Sequence, residues 1–566
     1  MSQTRRDFVK AATIGAVAIA ASDRIAELIA QSPQGKVLES KFKGLSDLVL
    51  AEAKRLGCTY ADVRFTRNFN GGGVNANGNA GGGRGGAGGG GAFPGGGGGR
   101  GGGRGGGGRG GGGGFGGFGG GFGDGADDAT PGAAGFGIRV IHSGVWGFAS
   151  SPIVTEDELK RITAMAVTVA KASAIAKKRD VQLCPVPAYQ VNWNTPLVKD
   201  PRTMSQTDKQ AYAQSIVDKV MANKEVTNCT VNLQFNGEWK YFASSEGSYI
   251  EQELMTTQPS LSVTAAKNGV TKTRSYPGIP GMGGWEIIEK CGLMEGAEKA
   301  AIDAVEMCTA APLTPGVKDV ILLPSHTMLT VHEIVAHATE LDRIMGYEAN
   351  YAGTSFVKLA DIGKLKYGSK LFNITADKTR PTALATIGYD DDGVKTREFP
   401  IVREGILVGL SANREMAHYL GEKESRGCTQ ASGWSQYPFM RMPNVHMDPD
   451  PKGPSLEEII ADTKDGVMID GRGSYSIDQQ RYNGQFGGDC FWEIKNGKVT
   501  RQLANVTYNA ITTDFWGSLD AVGNPSTFKM FGTGGDAKGQ PTQTQNISHG
   551  APACRIRKLM LGGAFQ

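Results

Sequence analysis

A glycine-rich stretch sets the first limit on how this chain of 566 residues can fold. Between Gly71 and Gly125, 37 of the 55 residues are glycine. Glycine loses more backbone freedom on folding than any other residue and has no side chain to bury, so this composition cannot stabilise a core. We therefore expect residues 71–125 to be a disordered insertion, with the folded protein built from the segments on either side.

The arginines of this insertion allow a second interpretation, an RGG-type segment that binds nucleic acid. They number four and stand at positions 84, 100, 104 and 109, followed by the acidic residues Asp124, Asp127 and Asp128. The whole chain has a formal charge of only +4, so its composition does not indicate a polyanionic partner. We expect no nucleic-acid partner and regard the insertion as a long loop that the fold tolerates at little cost in stability.

The N-terminus resembles an export signal. Thr4-Arg5-Arg6-Asp7-Phe8-Val9-Lys10 has the arginine pair, phenylalanine and lysine of a twin-arginine signal, and a short, weakly apolar segment follows. A receptor recognises such a signal, which does not itself anchor the protein in the membrane. The sequence contains no run of 18 apolar residues, so it does not indicate a permanent membrane anchor. We expect residues 1–31 to be a signal peptide, cut somewhere after Ala20, and the protein to be periplasmic or otherwise extracytoplasmic. The alternative is a basic N-terminus leading into an ordinary first helix.

Hydrophobic periodicity predicts an α+β fold in two regions. A helix from about residue 36, ended by Gly57, should lead into a strand from about Tyr60. The later elements expected are two strands in 135–151 around the turn His142-Ser143-Gly144, a helix over 155–177, strands over 186–275 framing a helix near 205–223, a helix over 284–309, and a buried strand in "VKDVILLP". We expect a mixed α/β N-terminal region over 36–310 and a β-rich C-terminal domain over 315–566.

One helix of the C-terminal domain contains two histidines at an unusual spacing. In "TVHEIVAHAT" (330–339), His332 and His337 stand at i and i+5, whereas the zinc-hydrolase pattern H-E-x-x-H places them at i and i+4. On a regular helix they would be about 140° apart and could not meet at one ion. An extra residue in the helix, a π-type bulge, would bring them together. Otherwise one histidine is structural and the other exposed.

This segment resembles the core motif of the TldD/PmbA family of metallopeptidases. "VILLPSHTMLTVHEIVAHATELD" contains that family's H-E-x-x-x-H followed by E-x-D, at the positions His332, Glu333, His337, Glu340 and Asp342. Four further stretches are similar to family motifs in the expected order: "GFGIRVIHSGVWGFASS", "GYDDDGVKTREFPIVREGILVG", "RMPNVHMDP" and "FGTGGDAKGQ…SHGAP". The resemblance covers residues 36–566 except the glycine insertion.

The resemblance implies a zinc metallopeptidase that hydrolyses unfolded or short peptides. The family holds Zn²⁺ with the two histidines and a loop cysteine, which leaves one position for a water molecule that Glu333 activates. Glu340 is placed to hold His337 by its other ring nitrogen. His332 and His337 thus make this the metal-binding helix, and the family suggests a homodimer or a heterodimer with a paralogue.

This chain lacks the cysteine of the family's closing loop, since residues 532–540 read "GTGGDAKGQ". Asp536 lies in that loop and His549 lies nine residues beyond it; we prefer His549 as third ligand because imidazole suits zinc. Cys554 and Cys490 are weaker candidates. The missing cysteine also supports an alternative, a catalytically inactive family member that acts as partner subunit of an active paralogue.

Two further polar clusters are candidates for a role. Arg441 and Asn444 flank a strand where an extended substrate could pair by β-addition. Asp390-Asp391-Asp392-Gly393 could bind a cation, but its composition is more typical of a hairpin turn. The eight scattered cysteines contain no C-x-x-C pair and so indicate no zinc ribbon, and they leave the disulfide status open.

Overall fold

The computed structural model describes residues 24–80, 134–276 and 278–563. Most of the predicted signal segment 1–31 therefore lies outside the described residues, and so does the predicted insertion beyond residue 80. Among the described residues, no helix has both the length and the apolarity that crossing a bilayer would need.

The N-terminal region is one nine-stranded sheet with helices packed on it, in the order β4-β3-β1-β6-β7-β5, where β2 pairs with β6 and both β8 and β9 pair with β7. Its strands are β1 (Tyr60–Asn70), β2 (Val74–Asn79), β3 (Ala134–His142), β4 (Val145–Ser151), β5 (Gln190–Asn194), β6 (Val226–Ser244), β7 (Tyr249–Lys267), β8 (Val270–Tyr276) and β9 (Gly281–Met282). Its helices are 24–30, α1 (Lys41–Arg55), α2 (Glu156–Ser173), α3 (Gln206–Met221), α4 (Glu286–Lys290) and α5 (Leu293–Met307).

Most of these elements match the sequence prediction, with one break. The helix expected over 284–309 is divided into α4 and α5, because Gly292 takes a left-handed conformation with φ of 64°. That conformation suits glycine, which has no Cβ to clash, and it ends one helix where the next begins.

Six of the first residues of the predicted glycine-rich insertion form a strand. Val74–Asn79 forms strand β2, in which Val74 pairs with Leu233 and Asn79 with Asn228 of β6. The prediction of disorder from residue 71 was therefore wrong for these residues, because a strand next to a long, ordered partner is held by its backbone hydrogen bonds. Strand β3, with which the described chain resumes at Ala134, pairs with β1, and Arg67 lies opposite Ala134.

The C-terminal domain contains two larger sheets and is β-rich, as expected. Their orders are β10-β22-β21-β18-β11-β27-β23-β20-β19, with β24 on β27, and β14-β13-β12-β17-β26-β25; β15 and β16 pair separately. The strands are β10 (Ala311–Pro312), β11 (Gly316–Leu322), β12 (Ile374–Asp377), β13 (Glu398–Arg403), β14 (Ile406–Leu407), β15 (Thr429–Gln430), β16 (Phe439–Met440), β17 (Val445–Met447), β18 (Asp465–Asp470), β19 (Tyr475–Ile477), β20 (Asn483–Gly487), β21 (Cys490–Lys495), β22 (Lys498–Ala504), β23 (Val506–Ile511), β24 (Leu519–Val522), β25 (Lys529–Lys538), β26 (Gln543–Ala551) and β27 (Cys554–Gly563).

The helix that carries the two histidines packs between these two sheets, against β17, β18, β25 and β26. The helices of this domain are α6 (Pro324–Val331), α7 (Leu341–Ile344), α8 (Leu456–Ala461) and α9 (Thr512–Gly517). Residues of α6 and both sheets share one large apolar core, in which Met328, Val331 and Val335 are at most 2% exposed. The expected α+β class, with a mixed N-terminal region and a β-rich C-terminal domain, is confirmed.

A buried ionic cluster joins the N-terminal sheet to the C-terminal domain. Arg139 contacts Asp62 at 2.7 Å and Asp392 at 2.9 Å, and Arg64 contacts Asp391 at 2.8 Å. The segment from Asp390 forms a turn, as predicted, in which the Asp390 carboxylate accepts from the amides of Asp392 and Val394. The aspartates that suggested a cation site thus bind cationic side chains of the other region.

Candidate metal centre

The helix contains the extra residue that the histidine spacing predicted. After α6, His332–Ala336 form one π-helical turn and His337–Thr339 a 3₁₀ turn. Glu340, with ψ of 119°, interrupts the helix before α7. The π turn brings the two imidazole rings to a centroid distance of 4.5 Å, so they face one point although they are five residues apart.

Hydrogen bonds fix which ring nitrogens carry protons. The carbonyl oxygen of Val445 can only accept, so Nδ1 of His549 donates to it at 3.0 Å. Nε2 of His549 must then accept from Nδ1 of His332, at 2.8 Å. This leaves Nε2 of His332 without a proton and able to bind a metal ion.

The carboxylate of Glu340 has the same effect on His337. Its Oε2 lies 2.9 Å from Nδ1 of His337, and a carboxylate is an acceptor, so the proton resides on Nδ1. The more distant approach of Arg343 Nη2, at 3.4 Å, is the weaker contact. Nε2 of His337 faces the site, and Nδ1 has the contact expected of a carboxylate that orients a metal-binding imidazole.

Asp536 supplies the third atom of the site. Its Oδ1 lies 3.7 Å from Nε2 of His332 and 3.5 Å from Nε2 of His337. Tetrahedral zinc bonds of about 2.0–2.2 Å place neighbouring ligand atoms roughly 3.3–3.6 Å apart, so this spacing fits a zinc ion. All three residues are buried, and their ligand atoms lie within 4.8 Å of one another.

A bulge in strand β25 and a contact with Arg441 orient Asp536 toward the histidines. The register with β26 shifts between Thr533 and Asp536, where Gly535 has φ of 72°, which marks a β-bulge. Arg441 holds the other carboxylate oxygen, with Nη2 3.0 Å from Oδ2. Oδ1 is thereby left to face the two imidazoles.

The protonation states suit metal binding. Burial, and the proximity of His337, hold the pKa of His332 well below its usual value, so this imidazole is neutral. Burial alone would raise the pKa of Asp536, but the His337 imidazole and the Arg441 guanidinium outweigh it and hold that pKa below its usual value. Two imidazoles and one carboxylate are a common ligand set for catalytic zinc.

The buried Lys538 binds two acidic residues next to the site. Nζ of Lys538 lies 2.9 Å from Oε1 of Glu340 and 2.7 Å from Oδ2 of Asp342. Lys538 follows Asp536 by two residues, so both side chains leave β25 on the same face. Sequence reasoning missed Lys538, although its position in the closing loop and the E-x-D of the helix motif were a usable signal.

Glu333 lies beside the pocket and is paired with an arginine that sequence reasoning also missed. Its Oε1 is 3.9 Å from Nε2 of His332, and its Oε2 accepts from Nη1 of Arg481 at 2.7 Å. Both line a cavity of about 1550 Å³ between the N-terminal region and the two C-terminal sheets, which also exposes His332, His337 and Asp536. Arg481 follows Glu333 by 148 residues and belongs to no motif, so the sequence held no signal for this pairing.

Several predicted site residues lie elsewhere than expected. His549 contacts His332 and Val445 and does not bring an atom to the point where the two Nε2 atoms and Asp536 meet, so the preference for His549 over Asp536 is not matched by the geometry. Cys554 is buried against Thr327, and Cys490 lies beside Met307. All eight cysteines are described and none forms a disulfide.

Arg441 and Asn444 are buried and do not face an open strand edge, which differs from the expected contact with substrate. Arg441 binds Asp536 and the carbonyl of Gln543. Asn444 accepts from the amides of Ala385 and Ser548 at 2.9 and 3.1 Å. Both residues hold the strands around the site together.

Comparison with known proteins shows the same family along most of the chain. The C-terminal domain of PmbA/TldA metallopeptidases matches residues 315–563, their central domain 199–307 and their domain 1 residues 133–176. A metalloprotease of Methanothermobacter thermautotrophicus is 28% identical over 434 residues, which cover 76% of this chain and 89% of the relative. The zinc metalloprotease TldD homolog of Saccharolobus solfataricus is 22% identical over 453 residues, covering 76% and 90%.

The fold is also that of a solved structure. The crystal structure of TldE from Thermococcus kodakarensis superposes with a TM-score of 0.62 at 14% identity, over 91% of this chain and 99% of that one. Three domains of one family thus match in order along more than half of the sequence, on the corresponding fold. This chain belongs to the PmbA/TldA metallopeptidase family.

Proposed function

We propose that this protein is an exported peptidase that hydrolyses unfolded or short peptides at a zinc ion held by His332, His337 and Asp536. The main observation behind the proposal is that three ligand atoms converge beside the Glu333 carboxylate, inside one cavity. The name of the Saccharolobus relative, a zinc metalloprotease, supports zinc as the metal.

A zinc ion bound there would acidify a water molecule and polarise the carbonyl of the scissile peptide. Glu333 turns Oε1 toward the histidine pair. This carboxylate oxygen takes a proton from the water while the oxygen of the water bonds to the carbonyl carbon. The carbon–nitrogen bond then breaks, and Glu333 returns the proton to the leaving amine. His549 and Glu340 keep the two imidazoles in the tautomers that this chemistry needs.

The shape of the cavity supports extended chains as substrates. One wall is β25, the last strand of the six-stranded sheet, and another is β19, the last strand of the ten-stranded sheet. Strands at sheet ends offer backbone donors and acceptors to an added strand, which recognises a peptide without regard to its sequence. A folded protein cannot supply such a strand until it unfolds.

The test measures metal content and hydrolysis together. Zinc-loaded protein should cleave a reduced, alkylated protein chain and should leave the same protein intact when it is folded. Glu333→Gln should retain zinc and lose at least about 10²-fold in rate, the usual scale for a general base. Wild-type protein that stays metal-free when zinc is supplied would contradict the proposal.

The second candidate function is an inactive partner subunit of an active paralogue, and the closing loop without a cysteine favours it. This candidate predicts no hydrolysis by the isolated, zinc-loaded protein and a stable heterodimer when the paralogue is added. The peptidase proposal predicts hydrolysis without a paralogue, by a monomer or a homodimer. Sedimentation of the purified protein, alone and mixed, separates these outcomes.

We further propose that the twin-arginine segment directs export. Because the signal is recognised through its arginine pair, Arg5→Lys together with Arg6→Lys should leave full-length precursor in the cytoplasm. Cell fractionation measures this. Normal export of the double variant would remove the proposed extracytoplasmic location.

A further inference from the structure

Arg481 lies in a turn that several hydrogen bonds hold in one conformation. The turn joins β19 to β20, and the side chain of Asp478 accepts from the backbone amides of Gln480, Tyr482 and Asn483 at 2.9–3.0 Å. The carbonyl of Arg481 accepts from the hydroxyl of Thr512 at 2.9 Å. These contacts fix the direction in which residue 481 leaves the turn.

The conformation of this residue is a costly one. Arg481 has φ of 62°, a left-handed region that glycine, asparagine and aspartate occupy far more readily than arginine. Its side chain is 12% exposed, and within the described residues its buried Nε has no hydrogen-bond partner. Strain and an unsatisfied donor at the same residue are found where a site needs that residue, because stability alone would select against both.

The Glu333 carboxylate lies between the Arg481 guanidinium and the histidine pair. Nη1 binds Oε2 of Glu333, whose other oxygen faces Nε2 of His332. Arg441 and Asp536 repeat this arrangement, with an arginine behind the carboxylate. Arg441, however, is buried away from the cavity wall, whereas Arg481 lines it together with Glu333.

We propose that Arg481 is a catalytic residue that stabilises the negative charge on the substrate's carbonyl oxygen as the peptide bond is attacked. This inference rests on the proposed peptidase function. When the attacking water gives its proton to Glu333, that carboxylate becomes neutral and Arg481 loses the charge that it was paired with. At the same moment the electron pair of the carbonyl double bond moves onto the substrate oxygen. A fixed cation beside both groups therefore favours the transition state over the resting state.

The test uses a phosphinic peptide, in which a tetrahedral PO₂⁻–CH₂ group replaces the scissile amide and mimics the attacked carbon. Its affinity for zinc-loaded protein is measured by calorimetry beside the affinity of the matched amide peptide, the latter in the Glu333→Gln background to prevent cleavage. Arg481→Gln should weaken phosphinic-peptide binding and lower kcat/KM by about 10²-fold, the scale for one lost oxyanion donor. Amide binding and zinc content should stay unchanged, and Arg481→Lys should recover part of the loss.

A double variant shows whether Arg481 acts on the substrate or only through Glu333. The loss of phosphinic-peptide affinity should persist when Arg481→Gln is added to Glu333→Gln. Gln480→Ala, an exposed change in the same turn, is the matched control and should bind like wild type. If the loss vanishes in the Glu333→Gln background, or if amide and phosphinic binding fall equally, the inference is overturned. Failure of wild-type protein to bind the phosphinic peptide would instead overturn the proposed function and this inference with it.

Discussion

Nδ1 of His332 lies 2.8 Å from Nε2 of His549, and this contact makes His549 an orienting group for His332. This series of hydrogen bonds begins at the carbonyl oxygen of Val445, which can only accept, and it ends at the unprotonated Nε2 of His332. The Val445 carbonyl thus fixes the tautomer of His549, and His549 in turn fixes the tautomer of His332. A side chain at position 549 must accept a hydrogen bond to preserve it.

His549→Gln should therefore keep most of the zinc affinity, because the amide oxygen of glutamine can accept from His332. His549→Leu, of similar size, should lower zinc affinity by about 10–100-fold, the usual effect of losing such an orienting partner. Competition with a chelator measures both affinities, with circular dichroism as the check on folding. Equal losses in the two variants would show that His549 itself binds the metal.

Replacing Asp536 tests the third ligand by spectroscopy. With cobalt(II) in place of zinc, Asp536→Cys should gain a sulfur-to-cobalt charge-transfer band in the near ultraviolet, which the wild-type protein lacks. Asp536→Ala should bind cobalt far more weakly than His549→Gln does, because it removes a ligand atom and not an orienting group. A wild-type spectrum with that sulfur band, or strong cobalt binding by Asp536→Ala, would exclude Asp536.

Lys538→Met should be strongly destabilising. Lys538 is fully buried between Glu340 and Asp342, and its loss leaves Asp342 without this ion pair, whereas Glu340 keeps Arg343 at 3.3 Å. Breaking a buried ion pair in this way costs about 3–5 kcal/mol, so the thermal midpoint should fall by several degrees. Adding Asp342→Asn should restore part of the stability, since it removes the carboxylate that lost its ion pair. No recovery would mean that the lysine acts through its packing.

The acid stability of the protein should depend on His326. This residue is buried, with its ring nitrogens 2.7 Å from the carbonyl oxygen of Gly471 and 2.8 Å from the Tyr508 hydroxyl, and burial lowers its pKa to about 4. The unfolded chain takes up the proton near pH 6.5 and the folded protein only near pH 4. The stabilisation is therefore complete above pH 6.5 and is lost as pH falls toward 4, at up to about 1.4 kcal/mol per pH unit.

Urea unfolding of the metal-free protein at several pH values measures this loss. His326→Gln removes the titrating group and serves as the comparison, since other acid-titrating groups contribute to both proteins. The difference in free energy of unfolding between wild type and variant should shrink by about 2.4 kcal/mol between pH 7 and pH 4.5. A difference that does not change with pH would show that His326 is not responsible.

The local features of the histidine helix were predictable because they follow from the geometry of one element. A turn of about 100° per residue makes an i, i+5 pair diverge unless one residue is inserted, and the structure has that insertion as a π turn. The start at Pro324, the buried positions of the helix and the α+β class follow from the same periodicities. Glu340 could be placed beside His337 for this reason, being three residues further along.

Composition was a poorer guide than periodicity. It placed the start of the glycine-rich insertion at residue 71, whereas Val74–Asn79 pair with β6. Side-chain composition says how much apolar surface a segment can bury, but the hydrogen bonds of a strand come from its backbone and depend on the neighbour beside it. That neighbour, more than 140 residues away in sequence, could not be read from the segment itself.

The choice between Asp536 and His549 depended on tertiary structure. Both residues belong to the hairpin β25–β26, and a bulge before Asp536 turns its carboxylate inward while His549 lies beside Val445 of β17. A shift of one residue in register moves every side chain to the opposite face, and no local pattern in the sequence encodes that register. Arg481 comes from a turn of the other sheet, so its contact with Glu333 exists only because both sheets pack on one helix.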